Sequence, residues 1–527
     1  MDDDAPVETG PGSPAEPSVS GWRRFTRPAR LPVLALVTYA VTQLVLLFWW
    51  VAFYPGLFSP DSLNYMWQST TGNWNTHHPV TYTALVWLSL QLTNGVGALT
   101  LLQTVALAAG LAYAVTGLRR LGGPAWLWTA AAAILVALPP VGSFTLAVWK
   151  DVPFVICHVF LLGTVARLVV LRRRTPGPDR PRLPRSLFVA LMAELTLLCL
   201  FRQNGFIVTA VLIVICVLVL RGMALRMIVA AVTAVTIALL TNWLLLPVLG
   251  VRNTGSLVAW ETLFGDIAVG YADDPAAFSV TDTAVMAQVA PLSHWRSSAD
   301  CYSVDPTVWH PDFNRTATAA HKSELVSIWV RLAQRSPGTV LGARFCRSSI
   351  AWQPASTGNV ARNPNPWSVR TYVQRDPLFR ASPARRAAYS APLSQRIGDL
   401  AVQLNARTVT PEWLWWRGAS WAYLAYLVVG LVAWRRRDRT VLALAGLSAG
   451  NQLSVLAINN MQGARYMFVP YVLGVVLLPL LLTARPPATT TAAATPAPAE
   501  TATVESTTPD HPTESGSPAS TGSGQVG

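Results

Sequence analysis

Residues 81–120 read TYTALVWLSLQLTNGVGALTLLQTVALAAGLAYAVTGLRR, and the way this stretch is divided decides the fold. Its first part, 81–92, is apolar but falls well short of the roughly 20 residues a helix needs to cross a bilayer. The second part, 97–118, is long enough and runs into Arg119 and Arg120. If both parts crossed, those arginines would face away from the cytoplasm, against the positive-inside bias of membrane proteins. The stretch therefore reads as an interfacial helix at 81–92, with Trp87 at the membrane surface, followed by one span at 97–118 that ends in the cytoplasm.

The same rule carries outward in both directions. Upstream, Arg23, Arg24, Arg27 and Arg30 precede a span at 32–52, so the loop from Phe53 is external. Downstream, spans are expected at 124–142, 152–171, 187–201, 206–220, 227–247, 414–434, 440–458 and 466–483. The arginine clusters between them then share the cytoplasmic side: Arg172, Arg173, Arg174, Arg180, Arg182 and Arg185; Arg221 and Arg226; Arg435, Arg436, Arg437 and Arg439; and Arg485. The expected architecture is an all-α polytopic protein of the plasma membrane with about ten transmembrane helices and both termini cytoplasmic. Residues 1–30 and 484–527 read as disordered cytoplasmic ends, Pro/Gly/Ser-rich and Pro/Thr/Ala/Ser-rich respectively. Between them lie a transmembrane module at 31–247 with its first external loop at 53–96, a large external loop at 248–413, and the final helices at 414–483.

Composition supports the class. Of the 527 residues 52% are hydrophobic and 13% charged, about half the charge of an average soluble domain. The net charge of +14 would suggest nucleic acid in a soluble chain, but here it is carried by short arginine clusters between apolar runs, and no nucleic-acid-binding motif accompanies it. Cys157, Cys199 and Cys216 fall inside apolar runs and read as small hydrophobes. Cys301 and Cys346 lie in the large loop, where an external setting would allow a disulfide.

The polar groups collect at the external ends of the spans. The first loop, FYPGLFSPDSLNYMWQSTTGNWNTHHP at 53–79, carries one acid, Asp61, and closes on His77 and His78. Asp61, between Pro60 and Ser62, suits a helix cap as well as a chemical role. Lys150 and Asp151, Arg202 and Asn204, and Asn459, Gln462 and Arg465 end on the same face. Arg202 and Arg465 depart from the positive-inside rule, and charges held close to hydrocarbon are costly and usually functional. One acid, two histidines and three cations on one rim suit an anionic lipid substrate. A divalent ion (Mg or Mn) between Asp61 and Asp151 is compatible with the pattern, though no ligand spacing demands one.

This layout resembles the GT-C superfamily of integral-membrane glycosyltransferases, which includes protein O-mannosyltransferases and the aminoarabinose transferase of lipid A. In that superfamily an acidic residue sits in the first external loop, followed by a His-Pro motif and an interfacial helix, here matched by Asp61, His78-Pro79 and 81–92. An Arg-Tyr before a proline-bearing last span is matched by Arg465-Tyr466 and Pro470. The motifs PDS, WKD and FRQNG are similar to those of uncharacterised actinobacterial membrane proteins of the same type. Two departures are visible: Ser62 stands where many members carry a second acid, and Val80 follows His78-Pro79 where the mannosyltransferases carry another proline.

The resemblance implies transfer of a sugar from a polyprenyl-phosphate donor to an external acceptor of the cell envelope, with inversion. Asp61 would be the base, His77, His78, Lys150, Asp151, Arg202, Asn204, Arg465 and Tyr466 would contact substrate, and no cofactor is required beyond the metal option. Two other classes stay open. One is a glycan ligase of the O-antigen type, whose key residues would sit in 248–413, Arg370 or His310 for example. The other is a transporter or lipid flippase, for which Asn451 and Gln452 inside a span would be the signal.

Overall fold

The computed structural model describes residues 31–175, 183–253, 257, 260–362 and 391–483. Both expected disordered ends, Arg180, Arg182, Arg370 and Arg485 lie outside them. The described residues are helical, with four isolated β-bridges and no longer strands. The chain is an all-α, polytopic membrane protein: six helices are each long and apolar enough to cross a bilayer, and a bent pair makes a seventh.

α1 (Leu31–Ala52), α4 (Gly97–Arg119) and α7 (Asp151–Arg174) pack side by side, with α8 (Arg185–Phe201), α9 (Gly205–Val219) and α10 (Ala224–Leu240) continuing the bundle. The helix Ala445–Ile458 lies on α9, and Gly418–Arg436 on the last span, 464–482. α4 and α7 approach closely because Gly117 faces Gly163; a Cβ on Gly117 would stand 2.7 Å from the Gly163 carbonyl oxygen. Small residues at such crossings let backbones meet where lipid offers no hydrophobic drive for association. α1 and α10 bury little of themselves and turn Leu36, Leu44, Leu225 and Val232 outward, as a lipid-facing surface requires.

Every expected span falls on a helix, but four differ in form. The span expected at 124–142 is α5 (Ala125–Ala137) followed by α6 (Pro139–Thr145), bent by 73°. Pro139 and Pro140 remove two backbone donors at that point, so a straight helix cannot continue. α8 and α9 have 17 and 15 residues, about 25 and 22 Å at 1.5 Å per residue, short of the ~30 Å hydrocarbon core. The helix expected to begin at 414 begins at Gly418, because Arg417 is turned inward, donating to the backbone oxygens of Gln353 and Ser349 and to Gln462 Oε1.

Two short helices follow α1: α2 (Pro60–Thr71), and α3 (Val80–Thr93), which covers the stretch read as interfacial and exposes Trp87. The described part of the large loop, 260–362, folds over the same end of the bundle. It has its own core around Phe264, Met286, Trp295, Val304 and Leu325. Cys301 and Cys346 are joined as a disulfide with a Cα–Cα distance of 5.6 Å. Asp266, fully buried, accepts from Arg344, Arg347 and Trp329. The arginine-rich helix ends gather at the opposite end, where Arg173 pairs with Asp438 and Arg436 donates to the Leu121 carbonyl.

Candidate active site

α2 starts at a capping box. The Ser59 hydroxyl accepts from the Ser62 N–H, the Ser62 hydroxyl accepts from the Ser59 N–H, and Pro60 occupies the first turn. Ser59 therefore takes the capping role, and the Asp61 carboxylate is left to turn toward the bundle. The loop that leads into α7 is tied to this turn: Leu57 and Leu146–Val148 exchange two backbone hydrogen bonds of 2.9 Å, and Ser62 Oγ donates to the Val148 carbonyl at 2.9 Å. From the other side Gln103 of α4 donates to the carbonyls of Thr145 and Ala147 and accepts from the Tyr82 hydroxyl. These bonds carry Lys150 and Asp151 to Asp61.

Arg465 Nη1 donates to Asp61 Oδ2 at 2.7 Å, and its guanidinium lies 4.9 Å from the Trp149 ring and 5.1 Å from the Tyr466 ring. Arg202 pairs with Asp151 and lies 4.9 Å from the centre of the same Tyr466 ring. Lys150 Nζ donates to His78 Nδ1 at 3.0 Å. The His78 ring packs on His77 and Tyr65, at 4.5 and 4.8 Å between centroids. Asp61, His77, His78, Lys150, Asp151, Arg202, Arg465 and Tyr466 thus form one contiguous cluster. Asn204 stands apart: its amide donates to Ser454 Oγ at 3.0 Å and joins α9 to the helix Ala445–Ile458. Asn459 and Gln462 bond to the Arg347 and Cys346 carbonyls and hold the large loop onto the spans.

Burial and charge act against each other here. Burial would raise the Asp61 carboxyl, but the charges of Arg465 and Lys150 outweigh it and hold Asp61 far below the usual carboxylate range. Burial pushes Lys150 down to about 8, against the pull of Asp61 and Asp151. Burial and the Lys150 charge lower His77 to about 4 and His78 well below its ordinary value. Both rings are neutral at pH 7, so neither adds a cation to the rim. His78 accepts at Nδ1 from an ammonium that can only donate, which leaves its proton on Nε2.

The large loop adds groups that the sequence did not single out. Asp305 lies within electrostatic reach of both Asp61 and Arg465, and burial raises its carboxyl. Burial also raises Glu261, against Arg315, which donates to it at 2.8 Å. Trp309 meets the His77 ring edge-on at 5.7 Å, and Arg315 covers its other side at 4.2 Å. Tyr65 had a legible signal, one helical turn after Asp61 on the same face of α2. Asp305 and Glu261 had none: they are ordinary loop acids until the fold places them.

Two buried oxygens of the cluster, Tyr65 Oη and Asp151 Oδ2, have no hydrogen-bond partner among the described residues. Asp61 Oδ2 and Asp151 Oδ1 each pair with a guanidinium, and Asp151 Oδ2 is the carboxylate oxygen of the two that is buried without a hydrogen-bond partner among the described residues. Among the described residues the group whose ligand atoms converge is His294, His310 and Asp312, within 4.8 Å of one another in the large loop. Asn451 and Gln452 are spent on structure, donating to the Tyr466 and Ala351 carbonyls.

Among solved structures the chain is similar to the crystal structure of ArnT from Cupriavidus metallidurans bound to undecaprenyl phosphate, at 13% identity and a TM-score of 0.29, over 84% of this chain and 77% of that one. At that score the likeness carries no weight for chemistry. No family model matches the chain, and no curated protein matches it.

Proposed function

We propose that this protein is a membrane glycosyltransferase that moves a sugar from a polyprenyl-phosphate donor to a hydroxyl of an extracytoplasmic acceptor, with Asp61 as general base. The observation that carries this reading is the Asp61–Arg465 pair. It sets a carboxylate and a guanidinium 2.7 Å apart, both partly open, with Lys150 and Arg202 in the same cluster at the end of the spans.

The steps balance. The acceptor hydroxyl gives its proton to Asp61 as its oxygen bonds to the anomeric carbon. The bond from that carbon to the phosphate oxygen breaks, and the electron pair leaves with the polyprenyl phosphate, with inversion at the sugar. Negative charge grows on the leaving phosphate, so preorganised cations beside it lower the barrier. Arg465 suits bidentate contact with phosphate, and Lys150 adds a compact charge.

The Asp61–Arg465 pair also sets the order of events. While Arg465 holds it, Asp61 is too weak a base to take a hydroxyl proton. A donor phosphate that draws Arg465 away returns Asp61 toward ordinary carboxylate basicity. The base is thereby switched on by the donor.

The test is transfer of radiolabelled sugar from polyprenyl-phosphate monosaccharides in membranes carrying wild type or Asp61→Asn. The expected result is a labelled product from wild type and a loss of about 10³-fold or more in the variant, toward the upper range for a general base. Equal transfer by both would overturn the role of Asp61. The cytoplasmic placement of both termini, which this reading needs, is checked by reporter fusions at each end.

A further inference from the structure

The end of the bundle opposite Asp61 holds a second charged site that the glycosyl-transfer reading does not use. A cavity of about 620 Å³ opens there, lined by Val432, Trp434, Arg435, Arg436 and Arg437 of one helix end and by 480–483 at the end of the last span. The helix that carries these arginines starts at Gly418, packed on Met467 at the Asp61 end, and runs for 19 residues. At 1.5 Å per residue that is about 28 Å, one hydrocarbon thickness. The cavity therefore sits at the other membrane–water boundary, at the depth of lipid phosphates.

Arginines at such a boundary need no ligand in general, since they also suit the negative end of a helix. Three features separate this site from that ordinary case. First, Arg436 is turned inward: Nη1 donates to the Leu121 carbonyl at 2.9 Å, while Nε and Nη2 are buried with no partner among the described residues. Buried guanidinium nitrogens left unpaired cost stability unless an anion meets them. Second, the local acid is spent. Asp438 pairs with Arg173 and accepts from the N–H and hydroxyl of Thr440, so none of Arg435, Arg436 and Arg437 has a carboxylate partner among the described residues. Third, the lining mixes guanidinium groups with apolar side chains, and Trp434 and Leu482 of that lining are largely exposed. A soluble anion would need only the guanidinium groups; a lipid uses the apolar side chains as well.

We propose that this cavity binds the phosphate headgroup of an anionic phospholipid of the leaflet opposite the Asp61 site. The phosphate meets Arg436 Nε and Nη2 as a fork, Arg435 and Arg437 add charge, and the acyl chains lie along Leu480 and Leu482. Juxtamembrane basic groups attract anionic lipid.

The experiment uses the full chain in a neutral detergent and follows the midpoint of thermal unfolding together with retained lipid by native mass spectrometry. The probes are phosphatidylglycerol, phosphatidylcholine and inorganic phosphate. The expected result is a saturable rise in the midpoint and one retained lipid with phosphatidylglycerol, neither with phosphatidylcholine, and a loss of affinity of tenfold or more in Arg436→Gln. Should that variant fail to fold without its bond to Leu121, the exposed pair Arg435→Gln with Arg437→Asn takes its place. Asparagine tolerates the left-handed backbone of Arg437, φ 53°. An equal effect of inorganic phosphate, lost in the same variants, supports the phosphate site and assigns it to the free anion. Equal binding of phosphatidylglycerol and phosphatidylcholine, or binding unchanged in the variants, would overturn the proposal.

Discussion

Two carboxylate–arginine pairs share one ring at the rim of this protein, and they are built for different purposes. Asp61 and Arg465 are 22% and 15% exposed, whereas Asp151 is 1% exposed beside Arg202 at 16%. Tyr466 lies between the two guanidinium groups. The first pair joins a turn of α2 to the start of the last span, 404 residues away, and opens to the side that a substrate can reach. The second closes the head of α7 against the residue that caps α8. On the proposed function the same two groups serve chemistry where one oxygen can be reached and architecture where the acid is sealed. The sequence, which shows only an acid and an arginine in each case, does not distinguish them.

The comparison breaks first on substitution of the acids. Asp61→Asn is expected to abolish transfer and to cost less stability than the same change at Asp151, because Asp61 is 22% exposed and the asparagine oxygen can still accept from Arg465. Asp151→Asn is expected to do the reverse. Removing one partner of a buried pair leaves the other charge uncompensated, at a cost of about 3–5 kcal/mol, read as a lower unfolding midpoint and lower yield of folded protein. If Asp151→Asn folds normally and Asp61→Asn does not, the assignment of the two roles is reversed.

The arginines sharpen it further. Arg465→Lys keeps the charge but loses the planar fork and the packing on Trp149 and Tyr466. A fall in kcat of about 10²-fold is expected, within the usual range for removing a preorganised charge-stabilising contact, with the unfolding midpoint nearly unchanged. Arg202→Lys, holding a buried carboxylate, is expected to lower the midpoint and leave kcat within about threefold once the folded fraction is corrected for. Equal kcat losses in both variants would mean that both arginines meet the phosphate.

The contrast also marks how far the sequence could be read. The class and the positions of the spans were legible because apolar length and arginine bias are local signals, and each expected span falls on a helix. The bend at Pro139 was legible in principle, since two consecutive prolines cannot continue a helix. Most of the rim was legible because charged residues at external span ends are rare enough to stand out. What was not legible depends on contacts between distant parts of the chain. Asn204 carries the same external-end signature as Arg202, yet the fold spends it on Ser454. Asp305 and Glu261 look like any loop acid, and only the folding of the large loop over the bundle brings them within reach of Asp61 and Lys150. The Gln462 bonds to Cys346 and Arg417 belong to the same class of information, whereas the Cys301–Cys346 disulfide was already a candidate in the sequence because both cysteines fall in the large loop.

The smallest effect expected separates the cations by pH. Burial lowers Lys150 from 10.5 to about 8, whereas both arginines keep their charge throughout the accessible range. The ammonium form is the one that meets phosphate, so donor capture weakens as pH rises through about 8, and kcat/KM should show an alkaline limb there because that ratio reports the free enzyme. A bound phosphate favours the ammonium, so the corresponding limb in kcat lies at higher pH. The acid side carries no limb from His77 or Asp61 between pH 7 and about 5, since burial holds His77 at about 4 and Asp61 remains ionised. Stability runs the other way: between about 8 and 10.5 the unfolded chain holds more protons at this lysine than the folded one, so the Lys150 contribution to stability rises with pH across that window. Lys150→Arg is expected to remove the alkaline limb at a cost of about threefold or less in rate near neutral pH. A limb that persists at about 8 in that variant would move the titration from Lys150 to the acceptor or the donor.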